Sequence, residues 1–384
     1  MAGNLDAHID RLFERSGYRI LSPDDESILS IALDSGTSQE RLDSFLAGWD
    51  IEKAPIKSVM LLAYALESRP DLVLPPSVGP RLGGVLKFCR YQNINKLAHF
   101  SKVARELRAN GIPVLILKGG AMKVYRPSFP RWMNDVDFLV RPSDYGRAVE
   151  IAMGMGYGEP MATEHSTDLR VPGSGEGLLD IHRCLDLSTG REEELSEDLF
   201  RRAEEKVFFS VKGYLPSPED MVFIALTNLY KNLERNQTPE SSVTTFFDLK
   251  YLVGFKPVFD WGIVLENARK TGTLFQVLLS ANILSRNLGG IIPGDLMERS
   301  GTTAARFERQ LVDFLYRRDV LCAARDSFQQ TKVGAMVQKD INVLTYIWIG
   351  FVKMVRGVSR IPAFKRLALK MKYASGGGKD KSLI

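Results

Sequence analysis

The chain has 384 residues, 45% of them hydrophobic and 25% charged, with a formal net charge of +5. A chain of this length buries a sizeable core and has room for two or three domains, and its composition excludes the disordered and fibrous classes. Three scattered cysteines, Cys89, Cys184 and Cys322, form no CxxC or Cys/His spacing, which argues against a disulfide framework and a zinc site and for a reducing compartment.

The N-terminal "MAGNLDAHIDRLFERSGYRI" is charged throughout and has no apolar h-region, so no secretory signal is expected. From about Asp24 to Asn110 apolar residues recur at helical spacing, as in "IKSVMLLAYALES" and "NINKLAHFSKVARELRANG", where Gly111 stands as a helix-ending residue. "LVLPPSVGPRLGG" breaks the helices.

The period then changes. "IPVLIL", "DVDFLV" and "GLLDIHRCLDL" read as strands, and "PSDYGRAVEIAMGMGY" between the last two reads as a helix with Ser143 as its N-cap, giving strand, helix, strand, helix and a hairpin. Beyond "VKGYLPSPEDM" the pattern is helical again, and Ser217 with Asp220 three residues on resembles a capping box. The expected organisation is a helical region at 1–110, an α/β core at 111–214, a second helical region at 215–373 and a flexible tail at 374–384.

Two features near the end bear on partners. "INVLTYIWIGFV" at 341–352 is too short to span a bilayer, so no transmembrane segment is expected and the protein is placed in the cytoplasm. The stretch from Lys353 to Lys372 carries basic residues and no acid among apolar ones, and could meet an anionic surface or form a solvated helix face.

The chemistry gathers in the core. In "NDVDFLV" alternation puts Asp135 and Asp137 on one strand face, where two buried like charges would repel and one would take up a proton. A divalent cation removes that cost, and oxygen ligands with positions left for phosphate suit Mg²⁺ or Mn²⁺. "LILKGG" before "AMKVY" places Gly119 and Gly120 at a strand-to-helix turn, where free N–H groups and the helix dipole favour an anion. A third acid, Asp180, lies in "GLLDIHR", with His182 on its strand face. Asp248 sits inside the apolar helical run "TTFFDLKYLV" and needs a partner, expected to be a basic residue of the core.

This order of Gly-Gly, Asp-x-Asp and a later single Asp resembles the DNA polymerase beta-type nucleotidyltransferase superfold. More closely, "LKGGAMKVYRPSFPRWMNDVDFLVRPSDYGRAVEIAMGMGY" with "LLDIHR" resembles the uncharacterised nucleotidyltransferase-like family, over roughly three quarters of the chain. The resemblance implies an α+β fold: a small mixed β-sheet nucleotidyltransferase core flanked by N-terminal and C-terminal helical segments. It also implies Mg²⁺- or Mn²⁺-dependent transfer of a nucleoside monophosphate from an NTP to a hydroxyl of an acceptor that it leaves open among peptide, sugar and small molecule. Members with this look are associated with biosynthetic clusters for polysaccharides and modified peptides.

By that resemblance Asp135 and Asp137 bridge the ions, Asp180 binds the ion that activates the acceptor, and Gly119 and Gly120 hold the triphosphate. Lys118 and Arg131 partner phosphate charge, and His182 is set beside the nucleotide. Two alternatives stay open: a phosphoryl or glycosyl transferase using a nucleotide donor, and a non-catalytic binding or antitoxin-type module. The chain departs from the family in the long gap from Gly120 to Asp135, which makes "YRPSFPRWMN" a loop beside the site. It departs again in the helix after "SPED", which carries Asn228 and Tyr230 where the family often has histidines.

Overall fold

The helical periodicity of the first third resolves, in a computed structural model, into four helices: α1 (Pro23–Leu33), α2 (Gln39–Gly48), α3 (Ile56–Glu67) and α4 (Gly79–Ala109). Helix α1 has Pro at its first position behind Ser22, whose Oγ accepts the Asp25 N–H at 3.0 Å. Helix α4 ends at Asn110, followed by Gly111 in the left-handed region at φ 77°, the stop expected there.

The structure describes residues 21–314 apart from 35, 130, 172–176, 188, 235–239, 257 and 289. The apolar run at 341–352, the basic stretch from Lys353 to Lys372, the tail at 374–384 and Cys322 lie outside the described residues. Two compact units divide the chain. One comprises Ile20–Tyr230 and Thr238–Ser300; the other comprises Met1–Arg19, Lys231–Gln237 and Gly301–Ile384. In the second, residues 304–314 are helical, with Phe307, Leu311 and Phe314 buried at helical spacing.

The core of the first unit runs β1 (Leu115–Ile116), α5 (Lys118–Tyr125), β2 (Val136–Leu139), a 3₁₀ turn (Pro142–Asp144), α6 (Tyr145–Gly154), β3 (Gly158–Ala162), β4 (Ser166–Arg170), β5 (Gly177–His182), α7 (Glu192–Arg202), β6 (Glu204–Phe208) and β7 (Val211–Leu215). All seven strands join one sheet in the order β3-β4-β5-β2-β1-β7-β6. β1–β7 and β2–β5 are parallel and the other neighbours antiparallel, so the sheet is mixed and the fold α+β.

Two local features differ from the sequence reading. Ser143 lies inside the 3₁₀ turn and caps nothing; α6 starts two residues later, without a side-chain cap. The β6–β7 hairpin was hidden because its two turn residues, Phe209 at φ 49° and Ser210 at φ 61°, take the type I′ conformation without the Asn or Gly that usually signals it.

Helix α4 packs across β2, β5 and β7. Its buried Phe100 meets Phe138 edge-to-face at 5.4 Å between ring centroids and Phe208 at 6.4 Å. Since side chains alternate along β2, Phe138 facing α4 sends Asp137 to the opposite face. That face is the one on which the acids collect.

The chain continues through α8 (Pro218–Glu234), α9 (Glu240–Val253), α10 (Trp261–Thr271), α11 (Leu274–Leu288) and α12 (Leu296–Arg299). Among the described residues no helix is long and apolar enough to cross a membrane. Asp220, fully buried, ties α8 to its neighbours. Its N–H donates to Ser217 Oγ at 3.1 Å, as a capping box would have it. Its carboxylate accepts from Arg202 at 2.6 and 3.1 Å and from Asn267 Nδ2 at 2.9 Å. Asp220→Ala leaves a buried amide and a guanidinium without their acceptor and is expected to cost about 3–5 kcal/mol in urea unfolding. Asp220→Asn, which keeps part of the hydrogen bonding, is expected to lose less; equal losses would show that volume rather than the polar network sets the effect.

Candidate functional site

Strand pairing assembles the site. β2 and β5 are parallel neighbours with Asp137 opposite Asp180, so their side chains leave the same face of the sheet. His182, two residues beyond Asp180, shares that face. Its Nε2 lies 3.0 Å from Asp137 Oδ1 and 2.9 Å from Asp180 Oδ2. Lys118 Nζ also donates to Asp137 Oδ1. Asp135 stands one residue before β2, in a bend, and faces the same cleft.

The charges are mutually dependent. Burial raises the Asp135 carboxyl from its ordinary 3.8 to about 7, and the neighbouring Asp137 charge adds to the rise. Burial acts on Asp137 in the same sense, but Lys118 and His182 outweigh it and hold that carboxyl below the usual range. Asp180 is lowered as well, the His182 hydrogen bond overcoming its burial. His182 and Lys118 are both raised: burial disfavours their charges, and the carboxylates they touch more than restore them.

Lys118 and His182 thus offset repulsion among the three carboxylates. The donor set fits a divalent cation by its chemistry: one oxygen each from Asp137 and Asp180 and one His182 nitrogen lie within 4.8 Å of one another, and the second oxygen of Asp180 is buried without a hydrogen-bond partner. Asp137 and Asp180 are the carboxylates that would hold it.

The other edge of the cleft is the start of α5. Its N-cap residue Leu117 makes no side-chain cap bond, and the first N–H groups of a helix have no acceptor within it, so the positive end of α5 is open toward an anion. Gly119 and Gly120 fall in this first turn, at the strand-to-helix junction. Neither needs a positive φ; the left-handed residue is Lys118, at φ 43°. The glycines are required by packing. A Cβ on Gly119 would stand 2.7 Å from Met133 Cγ, and one on Gly120 would stand 2.7 Å from Ile116 Cδ1.

A family profile described as uncharacterised nucleotidyltransferase matches residues 58–289. The chain belongs to this uncharacterised nucleotidyltransferase family. Among solved structures it is similar to an antigenic nucleotidyltransferase-like protein from Paracoccidioides brasiliensis, at 16% identity and a TM-score of 0.34 over 56% of this chain and 97% of that one. No curated protein is matched.

In this nucleotidyltransferase-family chain, the loop that follows α5 and leads to Asp135 lies beside the site. Asn93 Nδ2 of α4 donates to Arg131 O at 2.5 Å, and Lys96 Nζ donates to Met133 O at 2.7 Å, fixing the loop on the long helix. Arg131 lines the cleft and pairs at 3.4 Å with Asp248 of α9, whose side chain is 9% exposed. The partner expected for Asp248 is therefore Arg131. Burial raises the Asp248 carboxyl, and the Arg131 charge opposes the rise.

Three neighbours had no signal in the sequence. Lys57 reaches the cleft from α3, and Trp132 from the loop. Asp168 on β4 stands opposite Asp180, extending Asp137 and Asp180 into a lateral row of three acids, and one of its oxygens is buried without a hydrogen bond. Only strand register could have revealed it. Asn228 and Tyr230 of α8 do not line this cleft of about 190 Å³.

Asp135 holds its proton more tightly folded than unfolded, so the fold loses stability as pH rises from 3.8 to about 7 and the loss is complete above that. Asp135→Asn is therefore expected to be more stable than the parent at pH 8 by about 2–4 kcal/mol in urea unfolding, with the gap closing by pH 4. A gap of constant size across this range would show that Asp135 ionises freely.

Proposed function

We propose that the protein is a divalent-metal-dependent nucleotidyltransferase that moves a nucleoside monophosphate from an NTP to the hydroxyl of an acceptor. The observation that carries this is the pairing of Asp137 with Asp180 on adjacent parallel strands, directly before the open, lysine-bearing start of α5. Mg²⁺ or Mn²⁺ bound there would neutralise phosphate oxygens and lower the pKa of the acceptor hydroxyl.

The chain's own residues do the rest. Asp135 and Asp137 would hold the metal, together with Asp180, whose carboxylate would serve the acceptor. The N–H groups at Gly119 and Gly120 bind the triphosphate, with Lys118 and Arg131 placed to offset charge as pyrophosphate departs. Asp248 orients Arg131 from α9. In the transfer the acceptor oxygen bonds to the α-phosphorus, the bond to the β-phosphate oxygen breaks, and the hydroxyl proton leaves to a cleft carboxylate or to solvent. Buried free thiols at Cys89 and Cys184 support a cytoplasmic location.

Asp137→Ala and Asp180→Ala are each expected to reduce metal-dependent NTP consumption at least about 100-fold, since each removes charge stabilisation at the reacting phosphate. A thermal-shift screen of the four NTPs and of nucleotide sugars, with and without Mg²⁺ or Mn²⁺, identifies the donor, and the mass added to candidate acceptors identifies the transferred group. An increment of one nucleoside monophosphate is expected. A phosphate or a sugar would assign another transferase, and no binding of any nucleotide with metal present would assign a non-catalytic role.

A further inference from the structure

Resemblance pairs Asp135 with Asp137 as bridging acids of the metal set, but the tightest group of donors on the sheet is Asp137, Asp180 and His182. Strand geometry explains the substitution. Asp135 precedes β2 and escapes its register, whereas His182 lies two residues beyond Asp180 on β5 and is carried to the same face. The imidazole side chain is only 5% exposed, too deep to meet a diffusing nucleotide, and its ring stacks on that of His165 with centroids 6.4 Å apart.

What faces the acids is one nitrogen. His182 Nε2 stands 3.0 Å from an oxygen of Asp137 and 2.9 Å from an oxygen of Asp180, so a single N–H would have to serve two carboxylates at once. Lys118 already donates to that same Asp137 oxygen, while Asp180 Oδ1 is left buried with no hydrogen-bond partner. Hydrogen bonding alone distributes these donors poorly. The separations match another arrangement: adjacent donors around an ion with bonds of about 2.1 Å are about 3 Å apart.

We propose that His182 Nε2 is a ligand of the divalent ion together with Asp137 and Asp180, and that this nitrogen makes the centre select Mn²⁺ over Mg²⁺. Imidazole suits transition-metal ions, whereas Mg²⁺ favours oxygen donors and its own waters. The inference rests on the metal-dependent reading above and adds to it the identity of the ion and of one ligand.

The test uses the full chain with Mn²⁺ alone and then with NTP, comparing protein grown with ordinary and with ¹⁵N-labelled histidine. Pulsed electron paramagnetic resonance is expected to show coupling of bound Mn²⁺ to a directly bound nitrogen, which changes on ¹⁵N labelling. The coupling should disappear in His182→Gln and persist in His165→Gln. In competition titrations Mg²⁺ should displace Mn²⁺ only at an excess of about tenfold or more, and His182→Gln should weaken Mn²⁺ binding at least about tenfold while changing Mg²⁺ binding far less. The labelled parent protein gives its answer even if His182→Gln fails to fold. Mn²⁺ bound without nitrogen coupling, or bound equally well by His182→Gln, would overturn His182 as a ligand and leave metal-dependent transfer standing. No Mn²⁺ or Mg²⁺ binding by the parent chain, with or without NTP, would overturn both.

Discussion

The site depends on the lateral register of β2, β5 and β4, which sets Asp137, Asp180 and Asp168 side by side on one face of a sheet. Like charges directly opposite each other on neighbouring strands are destabilising, and partial burial sharpens the repulsion. Compensation must come from positive charge brought to the same face. Lys118 provides it, and His182 Nε2 converges with it on Asp137 Oδ1. Much of the surrounding geometry serves that convergence: β1 and α5 meet at a left-handed Lys118, and the glycines after it let Met133 and Ile116 close over the helix start.

The helical segments on either side take part in the same electrostatic arrangement. Helix α3 carries Lys57 to the cleft, α4 pins the Arg131 loop through Asn93 and Lys96, and α9 supplies the Asp248 carboxylate that holds Arg131. A half-buried arginine paired with a buried acid stays where that partner directs it, because leaving the acid's charge alone in the interior costs several kcal/mol. The cleft thus draws on segments spread over about half the chain, and the core strands alone would not complete it.

The glycine pair shows how a sequence signal can be right in place and incomplete in reason. Two adjacent glycines after an apolar run mark a strand-to-helix turn, and that is where they are. Their usual explanation, freedom to adopt positive φ, does not apply, since the left-handed residue is the lysine before them. Contacts made by Met133 and Ile116, distant by no more than about fifteen residues but unpredictable without the turn itself, decide the matter. Asp135 is a similar case. Period-two alternation places it with Asp137, yet the strand begins one residue later, leaving Asp135 in a bend where burial keeps its proton to about pH 7.

Local chemistry made the composition of the site readable from the chain alone: an acid inside a buried strand, a lysine and glycines at a helix start, an acid inside an apolar helix that demands a cation. Each demand is set by residues close in sequence, because burial of a charge is unfavourable wherever the partner is found. The helical ends and most of the α/β core were legible for the same reason. Which partner answers each demand was not. Arg131 for Asp248, Lys57 for the cleft, Asp168 beside Asp180 and His182 between two carboxylates are outcomes of strand register and of helices crossing a sheet. Register depends on pairings between segments tens of residues apart, and a β6–β7 turn without Asn or Gly shows how weakly sequence can announce such a pairing.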